Sequence, residues 1–277
     1  MINLQAIKTL CKLSEKNLRK NIVNFLTDHK YIPVYTDKFI IAEGTLPICL
    51  VAHMDTVFKQ PPQDFFYDET KKVLWSPQGA GFDDRAGIHI ILTLIMQGYK
   101  PSVIFTSGEE IGGVGAKELI KYHPECPFLD CKALIELDRA GEKDSVFYDC
   151  DNQSFERYIN KFGFETDFGT YSDICFIAPE WRIAAVNLSV GYENEHSLSE
   201  HLYCNWTDKT IEKVGKILSA ADDMPPFAYV PSPLVKENYN NLCCICGRRV
   251  NEGYIYDLMG DKSLFCKDCY KTLISKN

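Results

Sequence analysis

The sequence predicts an α/β protein of three layers, α/β/α, in which helices cover both faces of a central mixed, mostly parallel sheet. A small cysteine-rich module follows. Three observations favour this architecture. Short apolar runs typical of buried strands alternate with segments of helical periodicity. Acidic and histidine-containing segments follow those runs, as expected at the carboxyl ends of strands in such a sheet. A proline-rich segment then separates a short tail that holds five of the twelve cysteines.

Two sequence patterns predict the elements of the sheet and its helices. Apolar residues at helical intervals over residues 5–28 predict one amphipathic helix. The run ICLVA at 48–52 is continuously apolar, which suits a strand buried on both faces. The predicted strands are residues 31–35, 39–42, 48–52, 103–106, 133–137 and 184–190, and the later predicted helices are residues 86–97, 115–122 and 210–221.

The composition of the 277-residue chain is that of a globular protein, with 45% hydrophobic and 25% charged residues. These proportions exclude a disordered or collagen-like chain. Acidic residues exceed basic ones by 38 to 30, which gives a formal net charge of −8. Proteins that mainly bind nucleic acids or membrane surfaces carry a basic excess. Neither nucleic acid nor membrane is therefore an expected partner.

The N-terminal segment predicts no secretory signal peptide, because lysines interrupt it and it lacks a continuous apolar core. The longest apolar run, around residues 88–96, is far shorter than the ~20 residues of a membrane span. We therefore expect a cytoplasmic protein in a reducing environment, where cysteines serve as metal ligands, catalytic groups or core residues. Cys49, Cys131 and Cys175 are expected to be core thiols.

Composition divides the chain into three parts. Residues 1–224 form the predicted α/β domain, residues 225–240 a proline-rich linker, and residues 241–277 a four-cysteine module. The linker begins with four prolines between positions 225 and 233. Neither a helix nor a central strand tolerates that pattern, so we expect an extended connection.

Two C-x-x-C pairs lie in the C-terminal module, Cys243 with Cys246 and Cys266 with Cys269, and 19 residues separate them. This spacing is typical of structural zinc sites, in which each pair binds the metal through a tight turn. Residues 254–265 predict two strands around a turn, so the module resembles a zinc ribbon. The metal would supply folding energy that so small a core lacks.

Alternatives remain open for these cysteines. Cys244 adjoins Cys243 and is an alternative first ligand. If the module binds no zinc, the alternatives are four unrelated thiols or a redox pair formed by two of them. The module has only a weak basic excess, so a structural role or contact with a protein partner is favoured over nucleic-acid binding.

Five polar segments follow predicted strands or the loops after them. They are AHMDTV at 52–57, GAGFDDRAG at 79–87, SGEEIGGVGA at 107–116, ELDRAG at 136–141 and YENEHSLSEHL at 192–202. Each segment alone has an ordinary explanation, such as acidic helix capping or a solvated loop. Together they predict that carboxylates and two imidazoles meet at one rim of the sheet. That donor set suits two divalent cations that share a carboxylate, activate a water molecule and stabilise an oxyanion.

In this order, the segments resemble the co-catalytic di-zinc exopeptidases, a superfamily of aminopeptidases, tripeptidases and carboxypeptidases. The resemblance covers roughly residues 45–205 and includes the closing H-S-x-x-E pattern, HSLSE at 196–200. The segment FGTYSDICFIAP at 168–179 is similar to a Ser/Thr-Asp segment of these enzymes.

The resemblance implies a set of metal ligands. His53 and Asp138 would hold one Zn²⁺, Glu110 and His196 would hold the other, and Asp83 would bridge both. Co²⁺ or Mn²⁺ are alternative metals for such sites.

The resemblance also implies two residues that serve the chemistry. Asp55 would orient the His53 imidazole, since a carboxylate commonly fixes the tautomer of a metal-binding histidine. Glu109 would be the general base, which takes a proton from the attacking water and returns it to the leaving amine. A cis peptide between Asp83 and Asp84 is a further implied feature.

His201 is the rival of His196 for the last ligand, but the H-S-x-x-E pattern fits His196. Many members of the superfamily insert a lid or dimerisation domain between ligands. The intervals from His53 to Asp83 and from Asp138 to the last histidine are too short for either insertion. We therefore expect a compact catalytic core.

The expected activity is that of a zinc-dependent aminopeptidase acting on short peptides. The alternative is a carboxypeptidase or an N-acyl amino-acid amidohydrolase, in which Arg139 or Arg182 would bind a free carboxylate. The expected substrate is accordingly a peptide or an acylated amino acid. An alternative of another class is a non-catalytic metal-binding protein whose four-cysteine module recruits a partner. The complete ligand set and Glu109 argue against it.

Overall fold

The computed structural model describes residues 2–231 and residue 243, together with the backbone of strands 254–258 and 261–265. The helices are α1 Leu4–Cys11, α2 Glu15–Asp28, α3 Phe82–Met96, α4 Val114–Tyr122, α5 Gln153–Asn160, α6 Ile174–Trp181 and α7 Cys204–Ser219. The strands are β1 Val34–Tyr35, β2 Phe39–Ala42, β3 Leu46–His53, β4 Phe66–Asp68, β5 Val73–Trp75, β6 Pro101–Thr106, β7 Ala133–Arg139, β8 Asp144–Val146, β9 Glu165–Asp167, β10 Ala185–Ser189, β11 Tyr192–Glu193, β12 His201–Tyr203, β13 Tyr254–Leu258 and β14 Asp261–Phe265. Among the described residues, no helix has the length and apolar character needed to cross a membrane.

Eight strands form the central sheet, in the order β1-β2-β6-β3-β7-β10-β8-β9. The four middle strands, β6, β3, β7 and β10, run parallel to one another. Antiparallel pairs lie on either side of them. The predicted mixed, mostly parallel sheet is therefore confirmed. Because the middle strands are parallel, their carboxyl ends meet at a single rim.

Alternate side chains of the middle strands enter two separate hydrophobic cores. Leu50 and Ala52 of β3 belong to the core that includes α1, α2, α3, α5 and α7. Cys49 and Val51 belong to the other core, with α4 and α6. The burial of β3 on both faces explains its continuously apolar sequence. This arrangement confirms the three predicted layers.

The single helix predicted over residues 5–28 is wrong, because α1 and α2 occupy this segment separately. Between them, Ser14 is extended and its hydroxyl accepts a hydrogen bond from the Asn17 amide at 3.4 Å. A serine in this position caps a new helix by satisfying an amide that the first turn leaves unpaired. The apolar periodicity continues across the break and so did not reveal it.

A second sheet, of order β11-β12-β5-β4, was missed by the sequence patterns. Its strands have only two or three residues, too few to show an alternating pattern. β12 pairs with β5, so the late hairpin β11–β12 is joined to the hairpin β4–β5 that follows β3. The turn at residues 194–200 lies between β11 and β12 and carries the last predicted ligand.

The α/β domain continues into the segment predicted as a linker, residues 225–240. Phe227 packs against Phe155, and its backbone forms hydrogen bonds with Lys132 and Ala184. The first part of that segment is therefore bound to the domain, and its remainder lies outside the described residues. Prolines excluded helix and central strand, but they did not exclude packing along the surface of the domain.

The described part of the C-terminal module contains an antiparallel pair, β13 with β14, in which Tyr254 lies opposite Phe265. Two strands were predicted between the cysteine pairs, and the structure has them. Cys243 is buried. The other cysteines of the module lie outside the described residues: Cys244, Cys246, Cys266 and Cys269. The zinc site of the module stays a prediction.

Close packing of α3 against β7 depends on Gly87. A Cβ atom at this position would lie 1.8 Å from the Leu137 carbonyl oxygen and 2.6 Å from Asp84 Oδ1. The helix therefore lies closer to the sheet than a side chain would permit. Asp83 and Asp84, at its start, have non-helical dihedral angles, so regular helix begins only at Arg85.

We expect Gly87→Ala to lower the free energy of unfolding by about 1–3 kcal/mol or more, because the backbone of β7 cannot move aside. Gly215→Ala is the matched control. Gly215 lies inside α7, where a Cβ atom would meet its nearest neighbour at 3.5 Å. This substitution should be neutral or stabilising by up to about 1 kcal/mol, through helix propensity. Urea unfolding measures both variants, and an equal loss in the two would contradict the close-packing argument.

Candidate active site

Three neighbouring parallel strands bring four of the predicted residues to one rim of the sheet. β3 ends at His53, the loop after β6 contains Glu109 and Glu110, and Asp138 lies near the end of β7. The two remaining ligands come from outside these strands. One lies at the start of α3 and the other in the turn of the β11–β12 hairpin, where the second sheet holds it above the rim.

Asp83 lies between the two imidazoles. Its Oδ1 is 2.9 Å from His53 Nε2, and its Oδ2 is 3.0 Å from His196 Nε2. Asp138 completes the first group, with Oδ1 3.4 Å from His53 Nε2. Glu110 completes the second, with Oε2 2.8 Å from His196 Nε2. The structure thus brings the five predicted ligands together as two groups that share Asp83, and the ligand atoms of each group lie within 4.8 Å of one another.

This donor set fits divalent metal ions. Each group offers one imidazole nitrogen and two carboxylate oxygens, which are ligands typical of Zn²⁺. The carboxylates of Asp83, Glu110 and Asp138 are almost fully buried. Buried carboxylates at this separation repel one another unless positive charge lies among them. Glu110 Oε1 is buried and has no hydrogen-bond partner in the protein, as expected of an oxygen that serves a metal.

The carboxylates favour the protonated form of both imidazoles while no metal is bound. Burial lowers the pKa of His53, but the charge of Asp138 and hydrogen bonds to neighbouring carboxylates outweigh it, so the pKa lies well above its ordinary value. Hydrogen bonds to Asp83 and Glu110 raise the pKa of His196 to about 11. Metal ions must displace these protons, so binding releases protons and weakens as the pH falls.

Asp55 connects His53 to the loop after β6. Its Oδ1 lies 3.4 Å from His53 Nδ1, close enough for an ion pair but without the alignment of a hydrogen bond. The same carboxylate accepts hydrogen bonds from the amides of Glu109 and Glu110, both at 3.2 Å. Burial alone would raise the pKa of Asp55, but the interaction with His53 lowers it to about 2. Asp55 therefore faces the His53 imidazole and also fixes the loop that carries Glu109 and Glu110.

Glu109 lines the cavity at this rim, beside Asp83 and Asp138. Burial raises the pKa of its carboxyl group to about 9, the nearby His53 opposes the shift, and the charges of the neighbouring carboxylates add to it. Positive charge from bound metal would lower this pKa again. Between these two influences, the group suits the acceptance and return of a proton near neutral pH.

Glu200 holds the turn that carries Asp83. It is fully buried, and its carboxylate accepts hydrogen bonds from the amides of Gly81 at 2.6 Å and Asp83 at 3.0 Å. Burial raises the pKa of Glu200 to about 7, although the backbone amides counteract the shift. No role was predicted for Glu200 from the sequence, yet it is the final residue of the H-S-x-x-E pattern. The segment that supplies His196 therefore also positions Asp83.

Asn187 and Tyr192 hold Asp138 and were also missed. The Asn187 Oδ1 accepts a hydrogen bond from the Asp138 amide at 2.9 Å, and its Nδ2 donates one to the Asp138 carbonyl at 3.1 Å. This pairing replaces backbone hydrogen bonds where the register of β10 against β7 shifts. The Tyr192 hydroxyl donates to Asp138 Oδ1 at 3.1 Å. The sequence feature that could have indicated this role is Asn187 itself, a polar residue inside the apolar run 184–190.

Two further buried carboxyl groups lie next to the ligands. Ser172 donates a hydrogen bond to Glu136, and Thr106 donates one to Asp173. Burial raises the pKa of both acids. Ser172 and Asp173 belong to the segment 168–179, which the resemblance singled out. These hydrogen bonds show that the segment contacts β7 and β6, two of the strands that end at the ligands.

His201, the rival for the last ligand, lies on β12. Its Nδ1 contacts the Ser199 carbonyl at 2.9 Å, and its Nε2 is 3.8 Å from the Glu193 carboxylate. It belongs to neither of the two ligand groups found among the described residues.

A comparison with protein families matches residues 41–173, slightly less than half of the chain, to Peptidase family M28. The matched region contains four of the five grouped ligands, together with Asp55 and Glu109. Among curated proteins, none matches the chain.

Solved structures share the fold at low sequence identity. Aminopeptidase PepT from Bacillus cereus is 17% identical with a TM-score of 0.65, over 80% of this chain and 99% of that one. A tripeptidase from Staphylococcus aureus is 14% identical with a TM-score of 0.66, over 81% of this chain and 100% of that one. The TET1 peptidase of Pyrococcus horikoshii is 15% identical with a TM-score of 0.56, over 78% of this chain and 98% of that one. At these identities the likeness shows the fold.

Family match, fold and paired ligand groups agree with the resemblance to the co-catalytic di-zinc exopeptidases seen in the sequence. The chain is a metallo-exopeptidase, a hydrolase that acts on peptide bonds.

The role of Glu200 leads to a prediction. Glu200→Gln keeps the size of the side chain but turns an NH₂ group toward backbone amides that need an acceptor. We expect it to cost about 1–3 kcal/mol of stability and to weaken metal binding at Asp83. Glu193→Gln is the matched control, because Glu193 lies in the same hairpin and its carboxylate is 3.8 Å from the His201 imidazole. Competition with a chelating dye measures metal affinity. A Glu200→Gln protein with the affinity of the control would disprove the positioning role.

Proposed function

We propose that the chain is a zinc-dependent aminopeptidase that removes N-terminal residues from short peptides. The observation that carries this proposal is the charge of the cavity at the ligand groups. In the described part of the chain, its wall has one arginine, Arg139, and no lysine. Its acidic side chains are Asp83, Glu109, Glu110, Asp138 and Glu195. Such a wall favours the ammonium group of a peptide N-terminus over a carboxylate.

Arg139, the one arginine of the wall, is already paired with an acidic side chain of the protein. Its guanidinium donates hydrogen bonds to Asp167 at 3.1 Å and to the Phe168 carbonyl at 3.3 Å, and Asp144 lies 4.0 Å from its Nε. Arg182, the other candidate from the sequence, follows α6 and does not line the cavity. These two observations disfavour the carboxypeptidase and amidohydrolase alternatives.

The size of the cavity suits a small part of a peptide. Its volume is about 340 Å³, at the lower end of the range for ligand pockets. Three tyrosines, Tyr148, Tyr171 and Tyr192, line it with the acidic groups. Glu195 is exposed in the hairpin turn, where its carboxylate can meet the free ammonium group of a substrate.

The five grouped ligands are proposed to hold two Zn²⁺ ions, His53 with Asp138 and Glu110 with His196, with Asp83 shared. Bound ions of this kind supply Lewis-acid stabilisation of an oxyanion and a lower pKa for water. Co²⁺ or Mn²⁺ are alternative metals.

Glu109 is proposed to move the proton in this reaction. Its carboxylate accepts a proton from the attacking water and donates it to the nitrogen of the leaving amine. Asp55 binds the Glu109 and Glu110 amides and so keeps the base at the edge of the cavity. The presence of this base beside complete ligand groups disfavours a non-catalytic binding protein.

The proposal extends to the C-terminal module. Cys243, Cys246, Cys266 and Cys269 would hold one structural Zn²⁺, and the antiparallel pair β13–β14 between the two cysteine pairs supports a ribbon-like module. Contact with a protein partner is the role we propose for it. A cytoplasmic location stays a prediction from the sequence.

We expect Glu109→Gln to reduce kcat by about 10²–10⁴-fold, because an amide cannot accept the proton. Metal content should be unchanged, since Glu109 belongs to neither ligand group. Glu125→Gln, on an exposed loop outside the cavity, is the control and should retain full activity. Assays use peptides with a free N-terminus, N-acetylated peptides and N-acetyl amino acids. Cleavage of the blocked substrates alone would refute the aminopeptidase proposal.

Metal analysis of the full chain should give three zinc ions, two in the paired groups and one in the C-terminal module. His196→Ala should lose one of the first two, while Cys266→Ser should lose the third and leave peptidase activity largely intact. Mass spectrometry under native conditions counts the ions. A single ion in a protein reconstituted with excess zinc would contradict the paired site.

A further inference from the structure

The three tyrosines of the cavity wall differ in what their hydroxyl groups contact. The Tyr192 hydroxyl already donates to Asp138. Tyr171 is 38% exposed, so solvent can bind its hydroxyl. Tyr148 differs from both, because its hydroxyl oxygen accepts a hydrogen bond from Asn187 Nδ2 at 3.0 Å. Tyr148 therefore offers the cavity a hydroxyl whose oxygen is held in place by the protein.

The backbone and the neighbouring chain fix the position of Tyr148. It follows β8 and has a left-handed φ of 51°, a conformation that a bulky residue keeps only when its surroundings maintain it. Gly169 packs against the ring, since a Cβ atom at position 169 would lie 3.1 Å from Tyr148 Cε1. The ring also packs against the hydrophobic core that contains α4 and α6. The side chain is thus held at the cavity wall.

Asn187 connects the Tyr148 hydroxyl to the backbone of a predicted metal ligand. The same Nδ2 that donates to the Tyr148 oxygen also donates to the Asp138 carbonyl at 3.1 Å. Both Tyr148 and Asp138 line the cavity. A tyrosine hydroxyl has one proton to donate, and no acceptor for that proton is found among the described residues. The proton is therefore left for a group that enters the cavity beside Asp138.

Burial keeps the Tyr148 hydroxyl in the form that donates. It raises the pKa of Tyr148 well above its ordinary value, the charge of Glu136 adds to this shift, and the hydrogen bond from Asn187 opposes it. The hydroxyl consequently keeps its proton at neutral pH. A group of this kind suits hydrogen-bond donation, whereas the transfer of protons falls to Glu109.

We propose that Tyr148 is a catalytic residue whose hydroxyl donates a hydrogen bond to the carbonyl oxygen of the bond that is cleaved. This inference rests on the proposed peptidase reaction, and it applies to free and blocked N-termini alike, because hydrolysis of either amide places negative charge on that oxygen. A hydrogen bond to a charged acceptor is stronger than one to a neutral acceptor. A donor fixed in advance also needs no reorganisation as the charge develops. The proton stays on Tyr148 throughout.

Tyr148→Phe removes the hydroxyl and keeps the ring. We expect kcat to fall about 10²-fold, as for the loss of one donor to an oxyanion, and KM to change by less than about twofold, because the interaction is made mainly in the transition state. Tyr31→Phe is the matched control. The buried Tyr31 hydroxyl donates to the Pro101 carbonyl at 2.8 Å and does not line the cavity, so its loss should leave kcat unchanged.

Steady-state kinetics on the zinc-loaded full chain use whichever peptide class the wild type cleaves. A wild type that cleaves only blocked peptides would refute the aminopeptidase proposal but leave the comparison at Tyr148 intact. Equal kcat values for Tyr148→Phe and the wild type would overturn the role of Tyr148 and leave the aminopeptidase proposal standing. The two proposals therefore fail separately.

Inhibition measures the same hydrogen bond without turnover. In a phosphinic peptide, a tetrahedral phosphorus with charged oxygens replaces the carbonyl carbon. Its inhibition should weaken in Tyr148→Phe by about the factor that kcat/KM loses, because such a compound resembles the transition state. Inhibition by a simple alkyl amine, which has no carbonyl oxygen, should be unchanged, and native mass spectrometry should find the metal content of the wild type. An equal loss for both inhibitors, or a loss of metal, would show a merely structural role and overturn the proposal.

Discussion

The excess of buried carboxylate over positive charge at one rim of the sheet is the constraint on which the rest of the structure depends. Asp83 faces both imidazoles, Asp138 and Glu110 complete the two groups, and Asp84 is buried directly behind them. The ion pairs that these ligand carboxylates form in the described residues are with His53 and His196. Divalent cations are therefore the counter-charge that this arrangement suits, and part of the formal charge of −8 serves to hold them.

Backbone amides, rather than basic side chains, hold these acids in place. Glu200 binds the turn of Asp83, and Asp84 accepts hydrogen bonds from the amides of His53 at 3.2 Å and Gly87 at 2.9 Å. An amide donor fixes the position of a carboxylate without neutralising it. Glu200 and Asp84 thereby position the segments that carry Asp83 and His53.

The middle of the fold could be predicted because its signals are local. An uninterrupted apolar run such as ICLVA indicates a strand buried on both faces, and a polar side chain after such a strand lies at the rim. His53, Glu110 and Asp138 follow from that argument. Grouping them into pairs around a shared Asp83 needed the resemblance, because spacing along the chain does not say which oxygen faces which imidazole.

The elements that were missed depend on contacts between distant segments. β5 and β12 are short strands that pair across more than a hundred residues of sequence, and neither shows a pattern by itself. Asn187 replaces a backbone pair only because the register shifts beside Asp138. Glu200 appeared within a recognised pattern, but its function is visible only when its carboxylate meets the amides near Gly81. Contacts between segments distant in sequence, rather than the secondary-structure propensity of each segment, determine where these strands and side chains lie.

The charge that remains after metal binding bears on the choice of substrate. Five acidic side chains line the cavity, and its arginine is paired with Asp167. Two bound divalent ions would offset four of these negative charges and leave one, and the exposed Glu195 lies outside both ligand groups. A substrate whose reacting end carries an ammonium group would neutralise that charge, whereas one with a carboxylate would add to it. The same imbalance that calls for metal therefore favours the amino end of a peptide.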